Sequence, residues 1–504
     1  MKALRCAAAA GAVVLLAACG DDGGGGASGG RPVDGKTFTM AVAGDPGNLD
    51  PHFTSLSVTG QVDRFLYDSL LGFEPDGKTR PGLAEKWEST STTATFTLRK
   101  GVTCADGTPL TAATVAANIA FVGDPKNSST RIGLYVPAGA KATADDAAGT
   151  VSVTSPTPDA FLERNLGALP IVCAKGMADR TKLKQSADGT GLYTVTEAVP
   201  DDHYTFTRRK DVTGPVGLPE KVVVRVITNE TTTANLVLSG EVTAARFTGP
   251  DVQRLQGDGF LKRDVLAPTG EIWFNQKDGL PTADPAVRTA LMQSLDLKQM
   301  QQVFTSGRGT VPTGLVAPAN TPCKGDNVTG NLPALDAAAG KAALTGKGVK
   351  LTVVWGNTGA AGAQAAAELL QQQWQAAGVR IELKSVTTTQ VGQVAAGQLA
   401  WDVAMFPIGV TLPSQLVPFL SGPTPPGGAN FAAFDNKAYA EAVSAAQKLT
   451  GDSGCPQWDA AEKAVIKNLD LVPFANSNLP VVARGAELEL TEGDIDPASI
   501  RMLG

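Results

Sequence analysis

Hydrophobic and polar positions change rhythm several times along the chain. Residues 7–18 form an apolar stretch behind Lys2 and Arg5. It is too short to cross a bilayer as a helix and reads as an export signal. Residues 20–35 offer no large apolar side chain except Val33, which predicts a flexible tether. Alternation over 36–43 then predicts a strand. Within 58–71, Val62, Phe65, Leu66 and Leu70 return at helical spacing. Alternation resumes at 94–98, Asp106-Gly107 marks a turn, and Thr111 is placed to cap a helix over 112–121. A further strand is predicted at 151–153 and a helix at 160–169.

Beyond Gly189-Thr190-Gly191 the chain is rich in strand-like segments, followed by a short helix over 232–238. Asp284 reads as an N-cap with Pro285 at the first helical position. The helix behind it, 286–304, carries Val287, Leu291, Leu295 and Met300 on one side. A buried strand at 349–355, an Ala/Gln-rich helix at 361–377 and a strand at 379–383 make a βαβ unit, so part of a sheet should be parallel. A Pro/Gly-rich loop is predicted at 412–428. Helices follow at 438–449 and 458–469, and a closing strand begins at Leu471. The fold class is α/β, with enough chain for two or three substructures.

Composition narrows the function. The chain has 504 residues, 43% of them hydrophobic and 18% charged, which is the balance of a globular protein. Its formal net charge is −6, and loss of Lys2 and Arg5 with the signal makes it −8. That argues against nucleic acid or an anionic membrane surface as the main partner. No apolar run of membrane-spanning length follows the signal. With two histidines, His52 and His203, and no H-E-x-x-H, G-x-S-x-G or P-loop pattern, neither a catalytic centre nor a protein-built metal site is expected. No cofactor is expected either.

The signal ends in Leu16-Ala17-Ala18-Cys19, which looks like a bacterial lipobox. Cleavage would fall before Cys19 and its thiol would take a diacylglycerol, holding the chain to a cell membrane by lipid. The plainer alternative is an ordinary secretory signal with an incidental Cys19. Cys6 leaves with the signal. Cys104, Cys173, Cys323 and Cys455 remain, an even count in an exported chain, with three possible connectivities if they are not free thiols.

Eight segments resemble, in order, the motifs of the dipeptide/oligopeptide/nickel type of ABC-transporter solute-binding protein, solute-binding family 5. They are Leu49-Asp50-Pro51-His52, the helix around Phe65-Leu66-Tyr67-Asp68, residues 80–87, and residues 95–102 with 106–112. Gly189-Thr190-Gly191-Leu192-Tyr193, residues 238–242, Phe274-Asn275 with 287–296, and 430–442 complete the series. Trp87, Arg99 and Arg288 lie within these motifs and read as packing, hairpin and helix-face or ion-pair residues.

The resemblance implies a periplasmic-binding-protein-like type II fold, with two lobes, a hinge and an inserted subdomain in the first lobe. Residues 1–18 would be the signal peptide and 19–35 the tether. The first lobe would take 36–266 and 474–504, with 51–188 inserted, and the second lobe 267–473. Pairing Cys104 with Cys173 and Cys323 with Cys455 keeps each bridge inside one lobe. Ligand contacts are expected from Phe53, Thr54, Ser55, Leu56 and Ser57 in the first lobe. Trp273, Trp355, Trp401, Asp402, Phe406, Pro407, Ile408 and Gly409 are expected from the second. Peptide-binding relatives place a carboxylate after the Trp401 region to pair with a ligand ammonium. Here none follows Asp402 before Asp435, which counts against a free peptide amino terminus.

The implied function is a monomeric, lipid-anchored extracytoplasmic receptor. It would capture a small organic solute (peptide-like, oligosaccharide or chelated metal) and deliver it to the permease of an ABC importer. The rival is a sensor or assembly lipoprotein that keeps the binding fold without transport.

Overall fold

A computed structural model describes residues 30–54, 57–74, 77–316, 321–356 and 362–504. The signal, Cys19 and most of the tether lie outside the described residues, as do Ser55 and Leu56 of the expected ligand loop.

Three sheets organise the chain. The first has seven strands in the order Phe260–Arg263, Val481–Arg484, Ala244–Arg246, Thr37–Val42, Lys221–Val226, His203–Arg208 and Tyr193–Val199. Thr37–Val42 sits at its centre and runs parallel to both neighbours, so Phe38 and Met40 are buried on one face. Helix Ser57–Leu66 lays Val62 and Phe65 into that core. Gly189 and Gly191 pass directly against the end of this helix, where any Cβ would run into Leu66.

The second sheet has four antiparallel strands, Ala84–Ser89, Thr93–Leu98, Thr150–Thr154 and Lys141–Asp145, inserted between strands of the first. Helix Ala112–Gly123 packs on it, and Thr111 accepts a hydrogen bond from Thr114 N at 3.1 Å as its cap. Trp87 packs against this small core.

The third sheet belongs to the second lobe. Its order is Gly309–Thr310, Leu471–Asn478, Leu266–Phe274, Val403–Met405, Lys350–Gly356 and Arg380–Val386. Lys350–Gly356 pairs in parallel with Arg380–Val386 through helix Ala363–Ala376, the βαβ unit read from the sequence. The two chain crossings between lobes lie side by side, with Leu479 N donating to Val265 O at 2.7 Å. The register of Leu266–Phe274 against Leu471–Asn478 shifts on both sides of Gly270, whose Cα presses on Phe474 and Ala475 too closely for a Cβ.

Two local expectations change. The expected single helix over 286–304 is two, Pro285–Gln293 and Leu297–Phe304. Asp296 accepts from Gln299 N and caps the second, while Ser294 turns its hydroxyl back to Ala290 O. The expected loop at 412–428 contains a 3₁₀ turn, Pro413–Leu416, running into helix Val417–Leu420.

Arg288 makes no ion pair among the described residues and is not at the surface. It is buried and donates to the carbonyls of Thr282, Ala283 and Asn468. Both disulfides form as paired above, Cys104–Cys173 and Cys323–Cys455.

Candidate functional site

A cavity of about 450 Å³ opens between the lobes, continuous with a smaller one of about 140 Å³ through Arg64, Phe73, Tyr135, Ala168, Glu492 and Asp494. Four regions build its walls. Helix Ser57–Leu66 supplies Asp63 and Arg64, and the inserted subdomain supplies Phe73, Arg80, Arg99, Arg131, Tyr135 and Arg164. The C-terminal return supplies Glu492, Asp494 and Asp496, and the second lobe closes the space with Gly409, Thr411, Leu412 and Gln415.

Charge in this wall is arranged in pairs. Arg64 Nη2 lies 3.0 Å from Glu492 Oε2 and its Nε 3.6 Å from Asp494 Oδ2. Arg164 reaches the other oxygen of Glu492 at 3.9 Å and covers the Phe73 ring. Arg80 sits 3.5 Å from Asp496, and Arg246 2.9 Å from Asp494. Glu492 has positive φ and is followed by Gly493, a tight turn that aims the acidic run 492–496 at the arginines. Asp63 is different. It is buried, neither carboxyl oxygen has a hydrogen-bond partner among the described residues, and burial pushes its pKa well up.

The loop after Leu49 packs inside the first lobe. Asp50 is ion-paired and hydrogen-bonded to Arg180, whose guanidinium covers Phe121 at 4.2 Å. His52 is fully buried with Nε2 2.9 Å from Pro170 O. Burial and the Arg180 charge push its pKa down to about 3, so the ring is neutral. Phe53 stands edge-on to Phe121 at 5.9 Å and Thr54 donates to Thr59 at 3.2 Å. Neither borders the cavity. Ser57 opens helix Ser57–Leu66.

Of the residues expected from the second lobe, Gly409 lines the cavity. Trp273 is fully buried, tilted against Phe431 at 5.0 Å, and its indole donates to Phe406 O at 3.0 Å. Trp401 and Phe406 also pack on Phe431. Trp355 is half-buried near the end of strand Lys350–Gly356. Asp402 Oδ2 accepts from Thr352 N at 2.7 Å.

These aromatics form the floor beneath the cavity loop. The chain leaves the core at Phe406, passes the half-buried Pro407 and Ile408, and reaches the cavity at Gly409. Glu271, wholly buried, anchors that path. Its Oε2 accepts from Ile408 N at 3.1 Å and from the Trp273 indole at 3.2 Å. Gln415 fixes the next turn, accepting from Thr411 N and Leu412 N and donating across the cleft to Asn165 Oδ1 at 3.3 Å.

Sequence reasoning missed the charged wall. The signals were present as arginines at 64, 80, 131 and 164 and as the acidic run 492–496. Nothing local to any of them says that they meet.

Residues 78–426 match the model for bacterial extracellular solute-binding proteins, family 5 Middle. The chain is 27% identical over 443 residues to the glutathione-binding protein GsiB of Salmonella choleraesuis, covering 82% of this chain and 83% of that one. A substrate-binding protein from Microbacterium hydrocarbonoxydans, solved with 4-hydroxybenzoate hydrazide, superposes with a TM-score of 0.77 at 26% identity. That match covers 92% of this chain and 99% of the other. A dipeptide-binding protein from Pseudoalteromonas sp. SM9913, solved with Met-Leu, gives a TM-score of 0.78 at 21% identity, over 93% and 100% of the two chains, and supports the fold. Two α/β lobes around a walled cavity, and a family match across most of the chain, lead to one conclusion: this protein belongs to the bacterial extracellular solute-binding proteins of family 5.

Proposed function

We propose that the protein captures a peptide-like organic solute between its lobes and delivers it to the permease of an ABC importer. The observation that carries this reading is the cavity itself. Both lobes wall it, so a bound solute would be enclosed when they close and would bias them toward closure. Its volume of about 450 Å³ suits a small peptide or a compound of similar size. The curated relative named for glutathione supports a peptide-like class.

In this reading the first lobe is 36–265 with 479–504 and the second is 266–478, because the strand Leu471–Asn478, expected to enter the first lobe at 474, stays in the second-lobe sheet to its end. Gly409 touches the solute, and Trp273, Trp401 and Phe406 support the loop that carries it. A lipid on Cys19 and the tether 19–35 hold a monomeric receptor near the importer at the outer face of a membrane. Binding and closure are its mechanism, and no chemical step is required.

The test is calorimetry and native mass spectrometry of the mature chain against di- and tripeptides, glutathione and oligosaccharides. Saturable binding of a peptide-like member supports the reading. Binding confined to sugars overturns the solute class, and no binding at all moves the protein toward a sensor or assembly role.

A further inference from the structure

We infer that Arg131 is the group that reads the solute's charge, and that this solute carries a carboxylate and needs no free ammonium group. The inference rests on the interlobe cavity being the solute site, and it deepens that reading.

Arg131 is 8% exposed and lines the cavity. Its Nε donates to Pro51 O at 3.0 Å, and its guanidinium lies 5.0 Å from the Tyr135 ring. It forms no ion pair with any described residue, unlike Arg64, Arg80 and Arg164 around it. The Arg131 charge acts on the buried Asp63 carboxyl, but neither oxygen of Asp63 bonds to the guanidinium and burial pushes that carboxyl toward its protonated form. A guanidinium this deep, without an ion-pair partner, is costly unless something arrives to pair with it. Its backbone is fixed in advance. Ser129 Oγ accepts from Arg131 N, and Arg131 O accepts from Leu134 N and Tyr135 N. The planar fork is therefore held in place to take a carboxylate through two parallel hydrogen bonds. Arg99, exposed on the same wall, is a second guanidinium without an ion pair among the described residues.

The acids of the C-terminal return are not free for a cation. Glu492, Asp494 and Asp496 are already engaged by Arg64, Arg164, Arg246 and Arg80. The oxygens of Asp63 are buried, and burial favours their protonated form. Asp68 is also pushed up by burial and takes a hydrogen bond from Thr190 at 3.0 Å. The charge left uncompensated in the wall is positive.

The experiment uses the mature chain and a peptide panel in which each member is supplied as free acid, C-terminal amide and N-acetyl acid. Simple N-acyl amino acids are included. Calorimetry is run on wild type, Arg131→Gln, Arg131→Lys and Arg99→Gln. Amidation should weaken wild-type binding about tenfold or more, while N-acetylation changes it less than about threefold. Arg131→Gln should lose about tenfold on acids and almost nothing on amides. Arg131→Lys should recover part of the loss, because it keeps the charge without the fork. Arg99→Gln should cost less than Arg131→Gln.

Equal affinity for acid and amide, or an equal loss on both in Arg131→Gln, overturns the inference and leaves the peptide reading standing. Arg131-dependent binding of N-acyl amino acids but of no peptide supports it and overturns the peptide reading. Failure of every carboxylate probe overturns both.

Discussion

Phe161 of the inserted subdomain stacks on Trp458 of the second lobe, with ring centroids 6.0 Å apart and both residues buried. Gly451 N donates to Ala160 O beside them, and Gln415 bonds to Asn165 a short way off. This is an apolar seam between the lobes, next to the cavity and not part of it. Its loss should favour the open form. Phe161→Ala removes an aromatic pair worth about 0.5–1.5 kcal/mol beyond its buried area. Solute affinity should fall about two- to tenfold, chiefly through faster release. Small-angle scattering should report a larger unliganded radius of gyration. Unchanged scattering and unchanged release would show that the seam does not govern closure.

The two disulfides close stretches of 69 and 132 residues, each within one of the proposed lobes. In the chain-entropy account, loops of this size stabilise by about 4–5 kcal/mol each. Replacing Cys323 and Cys455 with serine should lower the melting temperature and leave solute selectivity intact. If selectivity changed with little loss of stability, the Cys323–Cys455 bridge would have a role at the site and not in the scaffold.

Local rules carried much of the fold. Thr111 and Asp284 cap helices because each offers an oxygen to a free backbone N–H two or three residues on, a relation visible within a few positions. The parallel pair around helix Ala363–Ala376 was legible for the same reason. The cavity wall was not. Arg64 meets Glu492, 428 positions away, and Gln415 meets Asn165, 250 positions away. Such pairings depend on how three sheets are placed, and no spacing encodes them. Aromatic candidates misled in a different way. Trp273 on a strand looks the same in sequence whether it faces solute or core, and here Phe431, Phe434 and Glu271 surround it. The split at Asp296 was missed because the apolar stripe continues across it while the cap restarts the helix.

Asp402 bears on whether a solute ammonium is bound from the second lobe. Its Oδ2 accepts from Thr352 N, and its own N–H donates to Thr352 O at 2.9 Å, a pairing that ties two adjacent chains. Asp402→Ala should cost about 1–3 kcal/mol of stability by leaving Thr352 N unpaired. Affinity for N-acetylated and free peptides should fall little and equally. A loss confined to free peptides would mean that Asp402 turns inward to meet the amino group.

Cys19 and the tether predict a simple fractionation result. Cys19→Ser, expressed in a bacterium with a lipoprotein pathway, should move the protein from the membrane fraction to the soluble exported fraction and abolish incorporation of labelled fatty acid. Solute affinity should be unchanged, because the anchor and the cavity share no residues. Retention in the membrane fraction without label would point to an uncleaved signal.

Glu271 gives the clearest pH prediction. It is fully buried, one carboxyl oxygen has no partner among the described residues, and burial pushes its pKa up to about 8 despite the hydrogen bonds from Ile408 N and the Trp273 indole. The unfolded chain ionises this group near its ordinary value of 4.5. Between those two values the folded form holds a proton that the unfolded form has released. The stabilisation is therefore whole below about pH 4.5 and is lost as the pH rises through about 8. Glu271→Gln keeps an acceptor for Ile408 N and cannot ionise. Relative to wild type, its melting temperature should rise steadily from about pH 5 to about pH 9. Glu462, which burial pushes up to about 7, leaves a residual slope in both proteins. The difference between the two curves isolates Glu271, and parallel curves would mean that its carboxyl ionises normally in the folded protein. Because Glu271 holds the backbone that leads to Gly409, solute affinity should weaken in wild type as the pH rises through about 8, where the folded form loses its proton, and less so in the variant.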